Sequence, residues 1–204
     1  MRKELFKQYL SDFSQTIDKI RSSAHELHKS VNQFYADKPY GLHLDMVAEN
    51  VSSFGYLVCN SESDIIPLLF GAYYHDSIED ARLTYHDVLD CARLYMDDDQ
   101  ALMATEIVYA LTNDKGRTRK ERAGEKYYAG IRETPFAPFV KLADRLANMS
   151  YSYSHSDSKN CNMLSVYRHE LDGFLSSLHV DSPDIRFSLP EPMLAEVFKL
   201  TNAD

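Results

Sequence analysis

Residues 65–80 read IIPLLFGAYYHDSIED. Their first ten carry no charge, and Pro67 falls in the first turn, where a helix tolerates proline. The polar residues Asn60, Ser61, Glu62, Ser63 and Asp64 supply N-cap candidates immediately before the run. The pattern predicts an apolar helix over 65–77. Ten apolar residues are too few to span a bilayer, so the helix belongs to a protein core. Near its end come His75 and Asp76, followed four positions later by Glu79 and Asp80. In a helix those offsets share a face. Four ionisable groups beside an apolar run are costly through repulsion and desolvation unless a cation joins them.

Outward from this stretch, helical periodicity dominates and alternating strand-like runs are hard to find, which predicts an all-α fold. Residues 3–35 form an amphipathic segment with Leu5, Phe6, Tyr9, Leu10, Phe13, Ile17, Ile20 and Leu27 mostly on one side. Residues 37–41, DKPYG, break the pattern, and a helix follows over 43–58. Thr84 with Asp87 reads as the cap of a helix running to residue 95. Asp97, Asp98 and Asp99 suit the amino end of another helix, through residue 111. Pro135 starts a helix to about residue 151, and Ser156, Asp157 and Ser158 cap one over 159–178. A tail with three prolines ends in a last helix over 192–200. No repeat or flexible linker divides the chain, so the reading is one domain over 1–180 with a tail, 181–204, packed on it.

The 204 residues suffice for one sizeable core, and 44% hydrophobic with 26% charged composition excludes disordered and fibrous classes. A net charge of −9 argues against partners such as duplex nucleic acid or anionic membranes, so an anionic ligand must be met locally. Cys59, Cys91 and Cys161 are an odd number, far apart, with no CxxC pair. Neither a disulfide framework nor a zinc ribbon is indicated, and a reducing cytoplasm fits. The N-terminal residues contain no continuous apolar stretch of the secretory kind.

Two His-Asp pairs occur, so the dipeptide alone says little. His86-Asp87 sits at a helix start, where Asp has an ordinary capping role. His75-Asp76 has the acidic company described above. A second constellation is KLADRLANM at 141–149, in which Lys141, Asp144, Arg145 and Asn148 make one polar stripe at i, i+3, i+4 and i+7. Its ordinary alternative is a solvated face with a local ion pair. Adding His43 gives two imidazoles and two carboxylates, His43, His75, Asp76 and Asp144. That N/O set suits Mn²⁺, Fe²⁺ or another borderline divalent ion, and no thiolate lies near.

His43, HDSIED at 75–80, TNDK at 112–115 and KLADRLAN at 141–148, in this order, resemble the HD-domain phosphohydrolases. Together with Pro39-Tyr40 before His43, they are similar to the RelA/SpoT homologue hydrolases, and in size to their small alarmone hydrolase branch. The resemblance covers roughly residues 24–148. It implies a helical HD fold holding one Mn²⁺ through His43, His75, Asp76 and Asp144. The implied reaction removes the 3′-pyrophosphate of guanosine tetra- or pentaphosphate, with Glu79 and Asp80 orienting the water or shuttling protons, Glu79 slightly ahead. Asn148 is then expected to hydrogen-bond the nucleotide, and Arg145 to contact phosphate or brace Asp144.

Six basic residues between 115 and 126 stand against two glutamates, a local reversal in an acidic chain. Lys115, within the TNDK match, has the best claim to a substrate phosphate. The family's basic segment that sandwiches the base has its nearest match in His28-Lys29-Ser30, with Val31 in place of glycine and a longer spacer. This makes Lys29 the base-side candidate and keeps open other 3′-phosphorylated nucleotides, such as the adenosine analogue or NADPH. A non-catalytic, nucleotide-sensing HD domain is the alternative of another class. Most of the 14 Tyr and 10 Phe belong in the core, with Tyr40, Tyr127 and Tyr151 as stacking candidates.

Overall fold

The apolar run forms a helix, α4 (Ile65–Tyr74), and every one of its ten residues is buried. A helix apolar on all sides must be surrounded, and that requirement organises the chain. The structure, a computed structural model, describes residues 1–113, 117–155 and 158–202. Around α4 pack α2 (Ser14–Ser30), α3 (Gly41–Phe54), α6 (Asp98–Leu111) and α9 (Ala137–Ser154). Outside these lie α1 (Lys3–Asp12), α5 (Tyr85–Ala92), the single turn α7 (Arg119–Arg122), α8 (Glu125–Glu133), α10 (Ser158–Leu178) and α11 (Glu191–Asn202). The result is a single all-α domain, as the periodicity predicts, and its arrangement is compatible with a helical HD fold. Met193 and Val197 of α11 are fully buried, so the C-terminal segment contributes to the same core. Among the described residues no helix is long and apolar enough to cross a membrane.

Local chemistry explains most helix ends. Thr84 and Asp87 form a reciprocal capping box before α5, and Asp97 with Gln100 forms another before α6. At the end of α2, Asn32 takes a left-handed φ of 54°. Its N–H donates to Lys29 O at 3.0 Å and that of Gln33 to His28 O at 3.0 Å, the paired bonds of a Schellman motif.

Three expectations are corrected. The amphipathic segment 3–35 is not one helix: it breaks at Phe13, and α1 turns so that Phe6 is buried against Gly55, where even a Cβ would meet the Phe6 ring at 2.7 Å. Tertiary burial, not a sequence breaker, makes that bend. The segment after α2 is a small antiparallel hairpin, β1 (Phe34–Tyr35) with β2 (Lys38–Pro39), pairing Phe34 with Pro39 and Tyr35 with Lys38. Also, α4 stops at Tyr74 rather than residue 77, and turns carry the chain on. The bond from Asp80 N to Asp76 O at 2.8 Å keeps the helical offset between those two residues.

Gly71 of α4 lies tight against α6, where a Cβ would be 2.6 Å from Ile107 Cγ2. Gly71→Ala is expected to destabilise by about 1–3 kcal/mol through overpacking, outweighing a helix-propensity gain of ~1 kcal/mol. Urea denaturation of Gly71→Ala, Ile107→Ala and the double variant tests this: the double should cost less than the sum of the singles. Strict additivity would show that the added methyl displaces nothing.

Candidate metal centre

Packing of α3 against both α4 and α9 brings three distant parts of the sequence to one point. His43 lies in the first turn of α3, His75 caps the C-terminus of α4 with Asp76 next to it, and Asp144 lies midway along α9. His43 Nε2 is 3.2 Å from His75 Nε2 and 3.3 Å from Asp144 Oδ1. Asp76 Oδ2 is 2.9 Å from His75 Nε2 and 3.7 Å from His43 Nε2. Ligand atoms of His43, His75 and Asp144 all lie within 4.8 Å of one another, a group that could hold a metal ion. Both imidazoles are only 2% exposed.

The donor set fits a divalent cation. Two nitrogens each about 2.1 Å from a common ion, near a right angle, would be about 3.0 Å apart, close to the separation found. His75 Nδ1 lies 2.8 Å from Ala72 O, a contact that needs an N–H, so neutral His75 turns the lone pair of Nε2 into the cluster. His43 Nδ1 is buried without a hydrogen-bond partner, and the polar contacts of that ring run through Nε2 into the same cluster. The electrostatics agree. Burial alone would lower the His75 pKa, yet Asp76 overrides it and pushes it up to about 9. Burial would raise the carboxyls of Asp76 and Asp144; His75 holds the first, and Lys141 with His43 the second, well below the usual carboxylate range. A pocket that draws protons onto imidazole in this way is short of positive charge.

The polar stripe of α9 divides into separate tasks. Lys141 Nζ donates to Asp144 Oδ2 at 3.0 Å, and the ammonium lies 5.7 Å from the centre of the Tyr127 ring. Asn148 Nδ2 donates to Asp144 Oδ1 at 2.6 Å, so its amide serves the aspartate. Arg145 turns towards α10: its guanidinium is 4.1 Å from the Phe174 ring centre, 4.8 Å from that of Tyr167 and 3.4 Å from Glu170. A cavity of about 880 Å³ opens between α8, α9 and α10, with Lys141, Arg145, Arg122, His169 and Tyr127 in its wall.

The acidic pair following Asp76 is split. Glu79 is exposed and accepts from Asn113 Nδ2 at 2.7 Å. Asp80 is half-buried, accepts from Gln33 Nε2 at 3.0 Å, and has its pKa raised to about 6 by burial and by repulsion from Asp76 and Glu79. Lys29 is exposed and pairs with Glu26 at 3.3 Å, so the structure does not bring it into the cluster. Lys115 lies outside the described residues. His86 is exposed, and the Asp87 carboxylate accepts from Thr84 N at 2.8 Å, which makes that pair a cap.

Three side chains at the cluster escaped the sequence reading in the role they take. Tyr35 stacks on His43 with ring centres 4.9 Å apart, Tyr40 donates to Asp76 Oδ2, and Gln33 holds Asp80. Only Tyr40 had a signal, as part of the Pro39-Tyr40 pair that precedes His43 in the family resemblance. Tyr127 is buried with its hydroxyl on Leu111 O at 3.2 Å, and Tyr151 stacks on His155 at 3.9 Å. The chain matches no family model, and neither curated proteins nor solved structures return a match.

Mn²⁺ is expected to raise the melting temperature of the wild-type protein. His75→Ala and Asp144→Ala should lose that shift, whereas His86→Ala should keep it. Differential scanning fluorimetry with and without chelator checks the assignment, and equal loss in the His86 variant would reject the choice of His-Asp pair.

Proposed function

We propose that the chain is a divalent-metal-dependent phosphohydrolase, with one Mn²⁺ held by His43, His75, Asp76 and Asp144, acting in the cytoplasm on a small phosphorylated nucleotide. The substrate favoured by the motif resemblance is guanosine tetra- or pentaphosphate, cleaved at the 3′-pyrophosphate to GDP or GTP and pyrophosphate. The observation carrying this reading is the convergence of two buried imidazoles and two aspartates beside a half-buried carboxylate of raised pKa. A bound divalent ion would supply a Lewis acid for a phosphate oxygen and lower the pKa of a water bound to it.

The protein's own groups account for the remaining chemistry. Asp80, its pKa raised to about 6, is suited to take a proton from attacking water near neutral pH, which favours it over exposed Glu79 as general base. Glu79, held by Asn113, shapes the approach. Lys141 offsets the charge on Asp144 and faces the adjoining cavity. With Arg122 and the Arg145–Glu170 pair in the same wall, that cavity offers a polyphosphate three cations against one carboxylate inside an acidic protein. Lys29, paired with Glu26, leaves the base side without the family's basic sandwich, which favours the adenosine analogue or NADPH as the second reading.

Purified protein with Mn²⁺ and a panel of guanosine tetraphosphate, its adenosine analogue, NADPH and simple nucleotides, resolved by ion-exchange chromatography, tests the proposal. Chelator-sensitive release of pyrophosphate from guanosine tetraphosphate is the expected result. Metal binding without turnover of any member would transfer the reading to a nucleotide-sensing domain. Within the active enzyme, Asp80→Asn should lower kcat by roughly 10²–10⁴-fold and Glu79→Gln by much less.

Because Asp80 must be ionised to act as a base, kcat should fall as pH drops below its pKa, which a bound cation beside Asp76 would hold under the metal-free value of about 6. For stability the sign is opposite. A carboxyl whose folded pKa lies above its unfolded value favours folding increasingly as pH falls from about 6 towards 4. Asp80→Asn should therefore raise the melting temperature measured in chelator at pH 7. A lower melting temperature would show that the Asp80 carboxylate is structurally required.

A further inference from the structure

The eight residues from Gln33 to Tyr40 lie between α2 and α3 and reach three of the site's carboxylates, two directly and one through Asn148. Gln33 donates to Asp80 at 3.0 Å. The Tyr35 hydroxyl donates to Asn148 Oδ1 at 2.9 Å, and Asn148 Nδ2 passes the contact to Asp144 Oδ1 at 2.6 Å and to the Asp144 carbonyl at 3.0 Å. The amide has one sensible orientation here, since turning it over would set its oxygen against two acceptors. Tyr40 donates directly to Asp76 Oδ2.

Each phenol is itself held in place. The Tyr35 ring lies nearly parallel to the His43 imidazole, at 20° and 4.9 Å, with its edge on Tyr151 at 4.7 Å. The Tyr40 ring is stacked at 4.7 Å on His28. His28 is completely buried with neither ring nitrogen hydrogen-bonded, and burial lowers its pKa to about 4, so it presents Tyr40 with a neutral flat face. An aspartate's terminal torsion is broad, and a carboxylate has about four lone-pair sites. A donor on one site therefore fixes the group's direction while the others stay free for a cation.

We propose that Tyr35 and Tyr40 are positioning residues of the metal centre, Tyr40 acting directly on Asp76 and Tyr35 acting on Asp144 through Asn148. This rests on the metal-centre reading above. The connection from Gln33 to Tyr40 is then the element that presets both carboxylate ligands before a cation arrives. Removing either hydroxyl should weaken metal binding even though neither tyrosine is a ligand.

The test measures binding of Mn²⁺ alone, with no nucleotide, by the electron paramagnetic resonance signal of the free ion. Tyr35→Phe and Tyr40→Phe keep the rings and remove the hydroxyls. Each should bind Mn²⁺ roughly 10- to 100-fold more weakly than wild type, the usual cost of losing an outer partner of a ligand. Tyr109→Phe, an exposed tyrosine of α6, should bind as wild type does. Because Tyr35 acts through Asn148, adding Tyr35→Phe to Asn148→Ala should weaken binding no further, a coupling that a general loss of stability would not produce. Far-UV circular dichroism verifies folding, and if Tyr40→Phe does not fold the Tyr35 and Asn148 cycle decides alone. Affinities within about twofold of wild type, or losses that simply add in the double variant, would overturn the inference. Failure of the wild-type protein to bind Mn²⁺ would instead overturn the metal-centre reading, and this inference with it.

Discussion

The fold is built around ionisable groups kept out of water beside its most apolar helix. His43 and His75 are almost inaccessible, and Asp76 and Asp144 lie against them at the end of a helix with ten buried residues. Isolated charges in such a place cost several kcal/mol each, so their neighbours must be chosen to satisfy them. Lys141 and Asn148 take the two oxygens of Asp144, and Tyr40 and His75 take Asp76. What this arrangement asks of the scaffold is a close three-way meeting of α3, α4 and α9, with Gly41 admitting His25 of α2 on one side and Gly71 admitting Ile107 of α6 on the other.

The stripe on α9 shows how one helical face is divided by what lies opposite each residue. Lys141 and Asn148 turn to the aspartate between them, while Arg145 meets the aromatic side of α10 and becomes a brace between helices. Its guanidinium is nearly buried over two rings, a setting in which arginine contributes packing as well as charge. Spacing along the sequence could show that these residues share a face. It could not show that the face looks in two directions.

Legibility followed the range of the interaction responsible. Helix α4 and the caps at Thr84 and Asp97 depend on residues within one turn of each other, and they read directly. The same local chemistry separated His86-Asp87, a cap, from His75-Asp76, which meets His43 and Asp144. The bend at Phe13 has no proline or glycine; it arises because Phe6 must be covered by a segment some fifty residues away. The hairpin was hidden for a related reason, since two-residue strands carry no periodicity, and the end of α2 within the 3–35 segment was not read from Asn32. Lys29 was chosen by position in a motif, and its pairing with Glu26 depends on a helix register that the motif does not encode.

One backbone contact bears on the order in which the molecule can be completed. The helix bearing Asp144 is capped by Phe136, a buried residue held at a left-handed φ of 68°, whose N–H donates to Arg186 O at 2.7 Å. A bulky residue keeps such a conformation only when its surroundings impose it. In chain order, residue 186 follows all four candidate ligands and both tyrosines that reach them. The clamp on α9 can therefore form only after the residues it helps to hold have been made, so the start of that helix is secured by a segment synthesised later than the cluster.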